Sequence, residues 1–173
     1  IALIGALVVV LIIVTLGGLY RYITTGGLIA RQIPSSIEAA AAEWVLNLSV
    51  PLAARNRENP LGITDASVTA GRDLYQEKCE VCHGYDGSGK TEAGSGEFPP
   101  PTDLRGLRVT NRTDGELFYF IQNGIRNTAM PGWPLPDQSI WQLVAFVRSL
   151  PIVASPALVA SLGDASIPVL SAE

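Results

Sequence analysis

Residues 76–87, "QEKCEVCHGYDG", hold both cysteines and the only histidine of a 173-residue chain. Soft ligands gathered into Cys79-Glu80-Val81-Cys82-His83 can serve three chemistries, and counting separates them. A closed structural zinc site takes four Cys or His ligands. This stretch offers three, so zinc would need a carboxylate, an outside ligand or a partner chain. A thioredoxin-like dithiol stands in a βαβ setting, whereas Cys79 follows a helical stretch and a Gly-rich loop comes after His83. The third chemistry, C-x-x-C-H, is attachment of c-type haem. Both thiols then become thioethers to the porphyrin vinyls, and the adjacent imidazole ligates iron. The spacing points to one covalent haem c held by Cys79 and Cys82, with His83 as its iron ligand.

Haem iron has a second axial face, and Met/His ligation raises the reduction potential. The one methionine, Met130, stands in "GIRNTAMPGWP", roughly fifty residues past the attachment site in a loop stiffened by Pro131 and Pro134. A single Met is commonly a gap-filler in a core. This one follows a Gly and polar residues and lies on no apolar stripe. With no second His or Met, an internal sixth ligand is Met130 or an unusual group such as Lys or an amine.

With these residues in place, about 66 to 152 resembles a class I (monohaem) cytochrome c domain. C-E-V-C-H-G, "NGIRNTAMPGW" and the terminal helix "SIWQLVAFVRSLP" stand in that family's order and spacing. The resemblance implies an all-α fold wrapped round the haem and work as a one-electron carrier. It also implies Cys79 and Cys82 as thioether anchors, with His83 proximal and Met130 distal on the iron. In this family a proline carbonyl usually accepts a hydrogen bond from the ligating histidine. "FPPPTDL" offers Pro99, Pro100 and Pro101, with Pro101 or Pro100 expected in that role. Such a bond orients the imidazole and raises its basicity.

Local patterns predict the helices independently. In "SVTAGRDLYQEKC", Gly71 and Tyr75 are four apart and share a face. A helical glycine costs about 1 kcal/mol against alanine, so a close helix crossing is expected there. The last helix should run from Asp137, read as N-cap, to the Leu150-Pro151 stop. Ile140, Leu143, Val144 and Val147 form its inward stripe, with Phe146 placed to meet the Gly71/Tyr75 face. In "TDGELFYFIQNG", Thr113 and Glu116 predict a capping box. Leu117, Phe120 and Ile121 should face inward, and Gly124 should close the helix.

The chain opens on "IALIGALVVVLIIVTLGGLY", an uncharged run long enough to cross a hydrocarbon layer about 30 Å thick. A signal peptide has a shorter apolar region, about 7–15 residues, and a small-residue cleavage site. Residues 1–22 are therefore expected to be a single-pass membrane anchor, with Tyr20 and Tyr22 at the interface. Arg21 and Arg31 by themselves would set the following side as cytoplasmic. The family resemblance overrides them, because haem is attached outside the cytoplasmic membrane, so the haem domain is expected to be extracytoplasmic (periplasmic).

Residues 23–64 should form a linker. "PSSIEAAAAEWVLNL" predicts a helix capped by Ser35 with Glu38, carrying Trp44, Val45 and Leu48 and ending at Pro51. "PLAARNRENPLGIT" reads as an extended arm. A free tether would be Gly/Ser-rich, so a Trp-bearing helix implies docking on a neighbour. The haem domain is expected over 65–152 and a weakly charged tail over 153–173, lying against a partner.

The net charge is −4, with Lys78 and Lys90 the only lysines. Arginines and carboxylates alternate around the haem region. A shuttle steered over distance carries a one-signed patch, and the linear sequence shows none. No internal repeat, phosphate loop, triad spacing or basic nucleic-acid patch appears. The expected function is thus an electron-transfer subunit without substrate chemistry of its own. It would sit in a respiratory or photosynthetic membrane complex, between a quinol-oxidising module and a terminal oxidase or soluble carrier. The layout is similar to the monohaem subunit of an alternative complex III. A cytochrome acceptor subunit of a periplasmic dehydrogenase is the other reading.

Overall fold

The computed structural model describes residues 2–26 and 34–153. Nine helices and no strand occur among them: α1 Ala2–Thr24, α2 Ser36–Ser49, α3 Leu52–Arg55, α4 Asp65–Lys78, α5 Glu80–His83, α6 Glu92–Ser95, α7 Leu107–Thr110, α8 Asp114–Asn123 and α9 Asp137–Ser149. The expected tail lies outside the described residues from 154 onward.

In α1 the segment Leu3–Thr24 is long and apolar enough to cross a membrane. Its side chains are exposed throughout. The Thr15 hydroxyl donates back to the Leu11 carbonyl at 2.9 Å, so it needs no partner from the surroundings. That is how a hydroxyl is tolerated in hydrocarbon.

The core of the region after α3 is the crossing of α4 and α9. Gly71 is buried at that crossing, where a Cβ would overlap the Gln142 backbone and lie 2.9 Å from the Phe146 Cβ. The missing side chain lets the helices approach, and Tyr75 then stacks on Phe146 with ring centroids 4.7 Å apart. Tyr75, Ile140, Leu143 and Val144 are almost wholly buried. The predicted α9 stripe is therefore core, and Trp141, Ala145 and Phe146 extend it round the helix.

α8 has the capping box the sequence predicts. Glu116 N–H donates to Thr113 Oγ1 at 3.2 Å, and Thr113 N–H donates to Glu116 Oε2 at 2.9 Å. Gly124 ends the helix at φ 69°. Leu117, Phe120 and Ile121 are inward as expected. Phe118, outside that expectation, is more deeply buried, at 1% exposed. The reason is that α8 is covered on a second side. Phe118 stacks on Trp141 at 4.4 Å, and the Arg57 guanidinium lies 4.1 Å over its ring.

That cover corrects two expectations. The stretch after Pro51 is no extended arm: it forms α3 and then wraps the domain. Gly115 packs against the Ala54 carbonyl so closely that a Cβ would overlap it. Thr113 Oγ1 donates to the Arg55 carbonyl at 2.9 Å, and Asn59 Nδ2 to the Trp141 carbonyl at 3.0 Å. Asp137 does not cap α9; Pro136 holds that position, and the Asp137 carboxylate pairs with Arg57 at 2.9 Å. An N-terminal carboxylate still suits the helix dipole, and here it also fastens the wrap.

α2 begins as predicted, with Ser35 Oγ accepting from Glu38 N–H at 3.3 Å. The Glu38 carboxylate does not return to Ser35. It accepts from the Tyr22 hydroxyl of α1 at 3.3 Å. At its other end α2 is tied to α7 and the turn that follows it. Arg112, with only 9% of its side chain exposed, pairs with Glu43 and donates to Asn47, while Arg108 meets Glu43 at 3.3 Å. Val50, the C-cap of α2, is buried, at 3% exposed.

Candidate functional site

The C-x-x-C-H residues sit where α4 gives way to the single turn of α5. Cys79 is the C-cap of α4, its N–H donating to the Tyr75 carbonyl at 2.8 Å, and it packs with the Tyr75/Leu143/Phe146 cluster. Cys82 and His83 follow on α5, both half-buried. Both thiols are free. Burial foremost, and then the neighbouring Cys82, push the Cys79 thiol up to about 11. A dithiol built for exchange chemistry needs the opposite shift, towards thiolate. The redox-dithiol reading therefore loses support.

The His83 imidazole is oriented by a backbone carbonyl. Nδ1–H donates to Thr102 O at 3.2 Å, since a carbonyl can only accept. Burial holds this histidine below its usual pKa, with the Thr102 bond opposing. The ring is thus neutral at pH 7, and Nε2 keeps the lone pair a metal requires. The acceptor is one residue past the expected Pro101. The Pro101 carbonyl faces Gly89, where a Cβ would overlap it, and the Pro101 ring packs towards Gly94, where a Cβ would meet its Cγ at 2.8 Å. Pro101 is consequently wall, and Thr102 is the anchor of the imidazole.

Several contacts that hold this loop were not expected from the sequence. The Tyr75 hydroxyl donates to Gly84 O at 2.7 Å, fixing the turn after His83. Gly89 N–H donates to His83 O at 2.8 Å, and Thr91 Oγ1 to Cys82 O at 3.1 Å. Asp86 Oδ1 accepts from Ser88 N–H at 3.0 Å, and Arg105 bridges Asp86 at 3.0 Å and Asp103 at 2.9 Å. Both carboxylates are held below the ordinary range, Asp86 chiefly by Ser88 and Asp103 chiefly by the Arg105 hydrogen bond. The Asp-x-Ser spacing at 86–88 is the signal that could have flagged a side-chain-stabilised turn.

Met130 lies in the loop between α8 and α9, half-buried, its N–H donating to Thr128 Oγ1 at 3.1 Å and its carbonyl accepting from Ile125 N–H at 3.2 Å. Gly124 and Gly132 make the fold of this loop possible: a Cβ on Gly124 would lie 2.5 Å from Gly132 N. Trp133 N–H donates to Ile121 O at 3.0 Å, and the Trp133 ring is 5.4 Å from Lys78 Nζ, next to Cys79. The loop bearing Met130 is thereby held near the end of α4 that leads into Cys79.

The residues fit a haem better than a bare ion. Among the described residues no group of three or more His, Cys, Asp or Glu is arranged to hold a metal, so Cys79, Cys82 and His83 find no fourth ligand for zinc. Two thiols on one turn and a neutral, oriented imidazole are the donor set that a covalent haem uses.

Comparison with known proteins agrees. The family model described as cytochrome c oxidase, cbb3-type, subunit III matches residues 66–147. Over 85 residues the chain is 32% identical to a thiosulfate dehydrogenase of Stutzerimonas stutzeri, covering 47% of this chain and 27% of that protein. It is 29% identical over 111 residues to the cbb3-type cytochrome c oxidase subunit CcoP of Azospirillum brasilense, covering 63% of this chain and 34% of the relative. The chain thus spans between about a quarter and a third of the length of these curated relatives. A Kuenenia stuttgartiensis reducing HAO-like protein complex aligns at 28% identity and a TM-score of 0.47, covering 53% of this chain and 47% of that one. The matched region holds the C-x-x-C-H residues, the oriented imidazole and the α4–α9 crossing, and the chain carries a c-type cytochrome domain within residues 66–147.

Proposed function

We propose that this cytochrome is a membrane-anchored, monohaem electron-transfer subunit with no substrate chemistry of its own. Cys79 and Cys82 would carry the haem, and His83 and Met130 would ligate its iron. The bound haem supplies one-electron exchange at its iron. The chain's part is to anchor the group, orient the imidazole through Thr102, and keep the Met130 loop tied to α4 through Trp133 and Lys78.

The observation that supports the membrane-complex reading is the set of contacts that α2 makes with α1 and with the domain. α2 touches α1 through Tyr22–Glu38 and is clamped to the domain through Arg112, Glu43 and Asn47. A shuttle needs a free tether, whereas a built-in subunit needs a fixed reach. The domain stands on the extracytoplasmic side and relays electrons from a quinol-oxidising module, as in an alternative complex III, to a terminal oxidase or soluble carrier. Purification in mild detergent should bring down stoichiometric partner subunits. Reduction of the haem should depend weakly on salt, since a built-in donor requires no screened encounter. A cytochrome that purifies alone, with a reduction rate falling steeply with ionic strength, would refute this.

The likeness to thiosulfate dehydrogenases favours a second reading, a cytochrome subunit accepting electrons from a dehydrogenase. Reduction by quinol in native membranes supports the first reading, and reduction only with a dehydrogenase substrate supports the second.

A further inference from the structure

α2 has two faces, and the haem domain uses one. Glu43 and Asn47 make the seam with Arg108 of α7 and with Arg112 between α7 and α8, and the C-cap Val50 is buried. The opposite side carries Ile37, Ala41, Trp44, Val45 and Leu48, at positions three, four and seven apart along one helical face. These are exposed, Ile37 at 81%, Trp44 at 65% and Leu48 at 65%, and Leu52 at the start of α3 continues the strip at 76%. The strip contains no charge. Both carboxylates of α2 are engaged elsewhere, Glu38 by Tyr22 and Glu43 by Arg108 and Arg112.

We infer that this strip rests on the surface of the lipid bilayer, with α2 lying along the membrane plane as a platform beneath the haem domain. The inference rests on the reading that α1 crosses the membrane. Position argues for lipid as the occupant. Tyr22 belongs to the last turn of the candidate span, at the level where tyrosines meet headgroups, and its hydroxyl donates to Glu38 in the first turn of α2. The apolar strip is therefore continuous with the membrane-facing surface of α1. Chemistry argues the same way. A single tryptophan among aliphatic residues on one helical face is an interfacial anchor, and burial of such a face contributes binding in proportion to its area. The clamp on the opposite face then transmits that placement to the haem domain, setting the height of the domain above the bilayer.

The test uses the full-length haem-loaded protein in phosphatidylcholine nanodiscs, where Cys79 and Cys82 are consumed as thioethers. Single cysteines are introduced at Val9, Ile37, Trp44, Leu48 and Glu77 and labelled with a nitroxide, and the absorption spectrum verifies each variant. Collision with oxygen, which partitions into lipid, is compared with collision with a water-soluble nickel chelate. Labels at 37, 44 and 48 should resemble the label at 9, with nickel accessibility several-fold below that at 77 and similar depths at 37 and 48. A lipid-buried label at 9 with water-exposed labels at 44 and 48 overturns the platform while leaving the anchor intact. So does a label at 37 in lipid with one at 48 in water, which means that α2 stands away from the surface. Labels shielded from both reagents would show a protein surface as the occupant and overturn it equally. A water-exposed label at 9 removes the anchor, and the platform with it.

Discussion

Gly71 of α4 lies directly against the Gln142 backbone of α9, with no room for a side chain between them. The whole haem domain is organised around that contact, because it sets the distance at which Tyr75 meets Phe146 and at which Cys79 joins the same cluster. Alanine at 71 would gain about 1 kcal/mol of helix propensity, but overpacking a filled core costs about 1–3 kcal/mol. Here the obstruction is backbone, which cannot rotate away. Gly71→Ala should destabilise the haem-loaded protein by about 2 kcal/mol net, read from the denaturant midpoint. An unchanged or raised midpoint would show that the crossing has slack.

The attachment residues predict how the haem leaves. In the unmodified protein the haem should stay with the polypeptide through denaturation and acid–acetone extraction, and the variant with both Cys79→Ala and Cys82→Ala should release it. Extractable haem in the unmodified protein would sink the covalent assignment.

Met130→Ala should abolish the long-wavelength sulfur-to-iron charge-transfer band of the oxidised protein and lower its reduction potential, since thioether ligation favours the reduced iron. Survival of the band would exclude Met130 as the ligand.

The loop around His83 should loosen in acid. Asp86 and Asp103 both have folded pKa values below the ordinary carboxylate value of about 3.9, lowered chiefly by Ser88 and by Arg105 respectively. A depressed carboxylate contributes stability above its unfolded pKa and loses it as pH falls through the folded one. The contribution should therefore be complete at neutral pH and decline from about pH 4 downward. Hydrogen exchange at Leu104, whose N–H donates to the Gly87 carbonyl at 2.8 Å, and at Gly87, whose N–H donates to the Gly84 carbonyl at 3.1 Å, should quicken over that window after correction for intrinsic rates. The double variant Asp86→Asn/Asp103→Asn should lose that dependence. A wild-type loop equally protected at acid and neutral pH would contradict the assignment.

Arg112 is the clamp between α2 and the haem domain. It pairs with Glu43, donates to Asn47, and lies 3.6 Å from the buried Glu116, which Arg55 approaches only to 3.7 Å. Removing one partner of a buried pair costs about 3–5 kcal/mol, and the remaining Arg55 contact places Arg112→Ala near 3 kcal/mol on that scale. The amides of α2 should exchange faster while the α4–α9 crossing stays protected. Equal loss of protection in both regions would mean that α2 and the core open as one unit.

What could be read from the chain alone was whatever short-range chemistry dictates. The C-x-x-C-H spacing, the Thr113/Glu116 capping box, the Gly124 stop, the α9 stripe and the uncharged opening run each depend on residues within a turn or two of one another. Even the Gly71 crossing was visible, because a glycine inside a helix calls for a packing reason. What tertiary structure alone decided was which distant groups meet. Thr102 and not Pro101 accepts the hydrogen bond from His83, because the Pro101 carbonyl lies against Gly89 instead. Phe118 is core because Arg57, 61 positions earlier, folds over its ring. The stretch after Pro51 became a helix and a wrap because Gly115 opened a seat for Ala54. Each outcome turns on a contact between residues far apart in sequence. No local pattern encodes such a contact, since its energy exists only once the chain has closed.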